Sequence, residues 1–191
     1  MDDGTPTDEN TSHLAQTHIP EDRIGALIGK EGKSKRRLEK QSGCDLDIDS
    51  ETGDVEIESD SSVDVYFVQE VVNAVGNGFN PSTASLILKK DYLLETIDIG
   101  EYVAEDKVKR MKGRVIGTNG KTRETIEDLT ETYLSVYDDH VSIIGRVEHI
   151  QAARRAVEKL LNGQSHSAVY KALERHRDKV RRRQLVNTGG F

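Results

Sequence analysis

Two glycine-framed tetrapeptides carry the most specific chemistry in this chain. Gly29-Lys30-Glu31-Gly32 and Gly117-Thr118-Asn119-Gly120 each follow an isoleucine (Ile28, Ile116), precede a lysine (Lys33, Lys121) and stand 88 residues apart. A glycine pair at this spacing, closing one helix and opening a basic one, lets the backbone approach a phosphate without interference from Cβ and aims helix N-terminal amides at it. The chemistry implied is capture of a sugar-phosphate chain. One such tetrapeptide would pass for a turn, but the offset of 88 also pairs Leu38 with Ile126, Leu46 with Leu134 and Ile48 with Val136. Repeated apolar spacing of this kind marks two copies of one folding unit.

Charge sharpens the reading. The chain of 191 residues carries a net charge of −7, which on its face disfavours a polyanionic ligand. Its distribution is uneven: residues 23–40 hold seven basic and two acidic side chains, and residues 107–123 hold seven basic and no acidic ones. Residues 41–60, in contrast, hold eight acidic and no Lys or Arg. Candidate phosphate contacts are Lys30, Lys33 and Arg36 at the first loop, and Lys112, Arg114, Lys121 and Arg123 at the second. Glu31 opposes phosphate inside the first clamp, whereas Thr118 and Asn119 are neutral donors, so the second loop ranks as primary. Bases would lie on aliphatic groove residues, with Ile28, Val115 and Ile116 nearest the loops; three Phe and no Trp leave little for aromatic stacking. The acid-rich composition suggests adaptation to high intracellular salt, where counterion release contributes little to binding.

The other chemistries fit poorly. Gly120-Lys121-Thr122 resembles the end of a nucleotide-binding P-loop, but the glycine needed five residues earlier is Val115. The six histidines show no HExxH or HxxxH spacing, and Cys44 is the single cysteine, so no metal, cofactor or disulfide is expected. No apolar run reaches the length of a membrane span, and the acidic N-terminus is unlike a signal peptide, which points to a cytoplasmic protein. No catalytic residue is assigned.

The elements that must hold these loops follow from periodicity. Residues 1–12 read as a disordered acidic tail. Residues 13–79 form a first unit: a strand near Leu14 to Ile19, a helix to Ile28, the loop, a helix from Lys33 to Gln41, a hairpin over Cys44 to Ile57 and a helix ending near Val75. Residues 80–91 read as a linker helix opened by Asn80-Pro81. Residues 92–163 repeat the order β-α-α-β-β-α, and residues 164–191 form one more helix, with Val169, Tyr170 and Leu173 as its apolar stripe, and a tail. The fold class is α+β.

A βααββα order with Ile-Gly-x-x-Gly between its first two helices resembles the type I KH domain, a three-stranded sheet packed on three helices that binds single-stranded nucleic acid. Lys35 and Arg123 stand where such domains often carry an aliphatic residue. The runs 112–117, 120–127 and 134–137, with Gly163-Gln164-Ser165-His166-Ser167-Ala168-Val169-Tyr170 and Leu173-Glu174, are more specific. They resemble the archaeal partner-of-Nob family of small-subunit biogenesis. The resemblance implies a non-catalytic protein that binds the 3′ region of 16S rRNA, with the Nob endonuclease and the alpha subunit of translation initiation factor 2 as partners. Eukaryotic relatives lack the first GxxG, so the first unit stays open between RNA and protein. A protein adaptor and a general single-stranded RNA or DNA binder are the alternative readings.

Overall fold

The computed structural model describes residues 12–188, so the acidic tail expected over 1–12 lies, apart from Ser12, outside them. The chain divides between Gly76 and Asn77 into two compact units.

In the first unit, β1 (His13–His18), α1 (Glu21–Ile28), α2 (Lys33–Ser42), β2 (Asp45–Ile48), β3 (Asp54–Ser59) and α3 (Ser62–Gly76) follow in the expected order. The strands form an antiparallel sheet in the order β1-β3-β2, with Leu46 opposite Ile57 and Ile48 opposite Val55. Strict alternation in Asp54-Val55-Glu56-Ile57-Glu58 dictates one dry and one wet face. Val55 and Ile57 are fully buried with Ile24, Leu27, Leu38, Val68 and Val72. The opposite face pairs carboxylates, Asp45 with Glu58 and Asp47 with Glu56, all exposed. Asp49 organises the hairpin turn by accepting the N–H groups of Glu51 (2.7 Å) and Thr52 (3.0 Å), which hold its carboxyl below the usual carboxylate range.

The second unit contains α4 (Pro81–Ala84), β4 (Tyr92–Asp98), α5 (Glu105–Ile116), α6 (Lys121–Thr130), β5 (Tyr133–Tyr137), β6 (His140–Arg146), α7 (Val147–Leu161) and α8 (His166–Thr188). Its sheet runs β4-β6-β5. The inner core joins Ile97, Val115, Ile126, Leu134, Val141, Ile143 and Val157 with Val169 and Leu173 of α8.

The segment expected as a linker behaves differently. Asn80 caps α4 by accepting the Thr83 N–H at 2.9 Å, and Phe79, Ala84 and Ile87 are buried. The 3₁₀ turn Ser85–Leu88 packs against β4, Asn77 donates to Thr96 Oγ1, and Gly78, at φ 93°, lies so close to Ser135 and Tyr137 that a Cβ would sit 2.6 Å from Ser135 Oγ. This segment therefore covers the outer face of the second sheet. Hence Val141 to Gly145 are buried without alternation, and Ile144 on the outer face is fully enclosed.

Candidate nucleic-acid interface

The two loops adopt one backbone. Gly29 (φ 71°, ψ 172°) and Gly117 (φ 75°, ψ 172°) end α1 and α5, a conformation that excludes side chains. Glu31 (φ 55°) and Asn119 (φ 52°) are left-handed, as are Gly32 and Gly120, which open α2 and α6 without a side-chain cap. The glycine amides are spent within the loops: Gly29 N–H donates to Gly25 O, Gly32 N–H to Gly29 O, Gly117 N–H to Gly113 O and Gly120 N–H to Gly117 O. Between the glycines, the amides of Lys30 and Glu31 and of Thr118 and Asn119 have no partner among the described residues. The glycines shape the clamp and the intervening residues donate. Asn is among the side chains that tolerate the left-handed region, whereas Glu is strained there and charged, so residue type again favours the second loop.

The candidate cations divide by what already holds them. Lys33 Nζ lies 3.8 Å from Glu31, and Arg36 donates to Glu31 O at 2.5 Å, so both turn toward their own loop. Lys112 pairs with Asp139 at 3.6 Å and Arg123 with Glu127 at 3.7 Å. Arg114 is held by main chain, donating from Nε to Leu160 O (3.3 Å) and from Nη2 to Gln164 O (2.6 Å). Lys30 and Lys121 are exposed, and among the described residues neither makes a salt bridge or side-chain hydrogen bond.

The second loop has a buttress that residue types did not announce. His166, at the start of α8, meets Arg114 O through Nε2 at 3.0 Å, and Tyr170 donates its hydroxyl to Thr122 Oγ1 at 3.1 Å. Thr122 in turn lies directly under Gly117. These contacts seat the C-terminal helix beside the clamp, where Arg110, Arg114, Thr118, Lys121, Thr122 and His166 line a cavity of about 460 Å³. His166 is thus a packing residue. Arg110, Thr122 and Tyr170 join the site; the family-like Gly163 to Tyr170 run was the available signal for the last of these.

The groove floor is mostly core. Ile24, Leu38, Leu46, Val115, Ile126 and Leu134 are buried, so Val115, expected among the groove residues under a base, serves the core alone. Ile28 and Ile48 in one unit, and Ile116 and Val136 in the other, retain partial exposure. They are the apolar surface on which a base can lie.

Comparison with known proteins identifies both units as KH domains. The family model for the second KH domain of PNO1, a eukaryotic type KH domain (KH domain type I), matches residues 93–178, and the general KH-domain model matches residues 15–73. A KH domain-containing protein of Methanocaldococcus jannaschii is 45% identical over 168 residues, spanning 86% of this chain and 74% of that protein. Dim2p from Pyrococcus horikoshii has a solved structure that superposes with a TM-score of 0.79 at 39% identity, covering 85% of this chain and 99% of that one. The chain belongs to the PNO1/Dim2 family of tandem KH-domain proteins.

Membership accounts for both the duplicated unit and the extended C-terminal region, since the PNO1 match runs past α7 to residue 178, into α8. A further structure of this family, a complex of a/eIF2alpha, aDim2p and rRNA from Pyrococcus horikoshii, matches at 37% identity and a TM-score of 0.84, over 90% of this chain and 97% of that one. The RNA-binding protein pno-1 of Caenorhabditis elegans is 30% identical over 121 residues, and this chain spans 44% of its length. Among the described residues no helix is long and apolar enough to cross a membrane.

Proposed function

We propose that this protein is a non-catalytic, cytoplasmic binder of single-stranded RNA that engages the 3′ region of (pre-)16S rRNA during small-subunit maturation and presents it to a processing endonuclease of the Nob type. The observation that carries the RNA reading is the second clamp. Its left-handed loop leaves the Thr118 and Asn119 amides free, with Arg110 and Lys121 beside them and α8 fixing the loop from behind. A relative seen with rRNA and a/eIF2alpha, and a relative called a pre-rRNA-processing protein, support the ribosomal context. The alpha subunit of initiation factor 2 is the second proposed partner. The first unit, with Glu31 in its loop and a carboxylate-paired outer sheet face, is the weaker RNA site and the better candidate for partner contact.

The test is a double substitution, T118D/N119D, assayed by fluorescence anisotropy against an oligonucleotide of the 16S rRNA 3′ region. Charge repulsion at the phosphate should weaken binding at least tenfold while the unfolding curve stays in place. Unchanged affinity would rule out the second loop as the clamp. Crosslinking in cells separates the ribosomal role from general RNA binding, since scatter over messenger RNA would favour the latter.

A further inference from the structure

Both units carry an arrangement that the phosphate clamp does not use. On α6, one turn beyond Arg123, Glu127 accepts the Leu134 N–H through Oε1 at 2.7 Å, while Arg123 Nε stands 3.7 Å from its Oε2. On α2, Glu39 accepts the Leu46 N–H through Oε1 at 3.2 Å, and Lys35 Nζ stands 3.7 Å from that oxygen. Cation, carboxylate and strand residue all keep the offset of 88. Leu46 and Leu134 lie on β2 and β5, each an edge strand of its sheet. Their outward amides are the donors that a bare strand edge would offer to a ligand lying along it. The carboxylate takes that donor and puts an acceptor in its place.

Helix stability does not call for this pairing. A cation four residues ahead of a carboxylate is the less favourable helical order, and partly exposed pairs contribute little. Burial pushes the Glu127 carboxyl up, against the Leu134 amide and Arg123, which lower it, so holding the anion there has a cost. Both carboxylates nevertheless keep an opening to solvent, 23% of the side chain for Glu127 and 24% for Glu39.

We propose that Glu127 with Arg123, and Glu39 with Lys35, read the base in each groove, the carboxylate accepting from the exocyclic amino group of adenine, cytosine or guanine and so disfavouring uracil. The neighbouring cation donates to the acceptor next to that amino group on the same base edge. Uracil has no amino group, and its two carbonyl oxygens flank a single N3–H, so one of them faces the carboxylate at close range. A matched charged contact of this kind discriminates by about ten- to a hundredfold.

The inference rests on the RNA reading above, and one experiment separates the two. Labelled heptamers of rA, rC and rU are titrated against the full chain and against E39Q/E127Q, in which the amide oxygen can still accept the strand N–H and preserve the fold. Wild type should bind rA and rC about tenfold more tightly than rU, and the double variant should lose most of that ratio. A second arm alters the ligand instead: replacing adenine by purine riboside, which lacks the amino group, should weaken wild type by a similar factor and leave E39Q/E127Q unmoved. Tight binding of all heptamers with no preference, a preference for rU, or a ratio untouched by the substitutions would overturn base reading while leaving RNA binding intact. Binding of none would overturn both.

Discussion

At the scale of single residues, the two glycines of one clamp do different work. Gly117 is held at φ 75°, ψ 172°, and a Cβ there would lie 2.6 Å from the Thr122 main-chain nitrogen and closer still to its Oγ1. Gly120 is left-handed at φ 78°, ψ 4°, with open space around a Cβ. Gly120→Ala should therefore cost about 1 kcal/mol, the left-handed penalty alone, whereas Gly117→Ala should cost about 3 kcal/mol, because backbone strain and a clash with main chain add. Urea denaturation of the two variants checks this; equal losses would mean that the loop yields more easily than its geometry indicates. The pattern Gly-x-x-Gly was plain in the sequence, but this division of labour was not, since it depends on which dihedral each glycine occupies. Nor could residue type show that Arg114, basic and next to the loop, is held by the carbonyl oxygens of Leu160 and Gln164. A guanidinium reads as a phosphate ligand until its neighbours in space are known.

At the scale of elements, legibility followed periodicity. The alternation of Asp54 to Glu58 located β3 and its faces, and the duplicated spacing located α2, α6, β2 and β5. The covering segment 77–88 was missed because its apolar residues suit any short amphipathic helix. The signal lay elsewhere, in Val141-Ser142-Ile143-Ile144-Gly145, which carries no charge and is apolar but for Ser142, as suits a strand buried on both faces. The C-terminal helix is the converse case, since Val169 and Leu173 were legible as a stripe and both enter the core of the second unit. Leu173→Ala should accordingly destabilise that unit by about 2–4 kcal/mol. Amide hydrogen exchange reads the effect locally: protection should fall at Leu134 and Ile143 of the second sheet and hold at Val55 and Ile57 of the first. Equal loss in both units, or none in either, would contradict the place of Leu173 in the core of the second unit.

At the scale of the whole molecule, a chain of net charge −7 must bind a polyanion with few free cations. Lys33, Arg36, Lys112, Arg114 and Arg123 each already have a partner within the protein. That leaves Lys30 and Lys121 at the loops, and Arg110 in the cleft beside the second, without a salt bridge or side-chain hydrogen bond among the described residues. Three phosphate contacts on a single strand give a slope of log affinity on log salt near −2, so binding should fall only modestly as salt rises. Amides and groove contacts, which salt does not screen, supply the remainder. Salt also acts on the fold, because the facing pairs Asp45 with Glu58 and Asp47 with Glu56 repel one another unless counterions screen them. In a potassium chloride series to molar concentration, the thermal midpoint of the first unit should rise while RNA affinity declines along that shallow line. D45N/D47N should flatten the rise in stability without changing the binding slope, since neither residue lies at a clamp. A slope steeper than about −4 would require twice as many phosphate contacts as these three cations provide, recruited from the other basic side chains of α2 and α5.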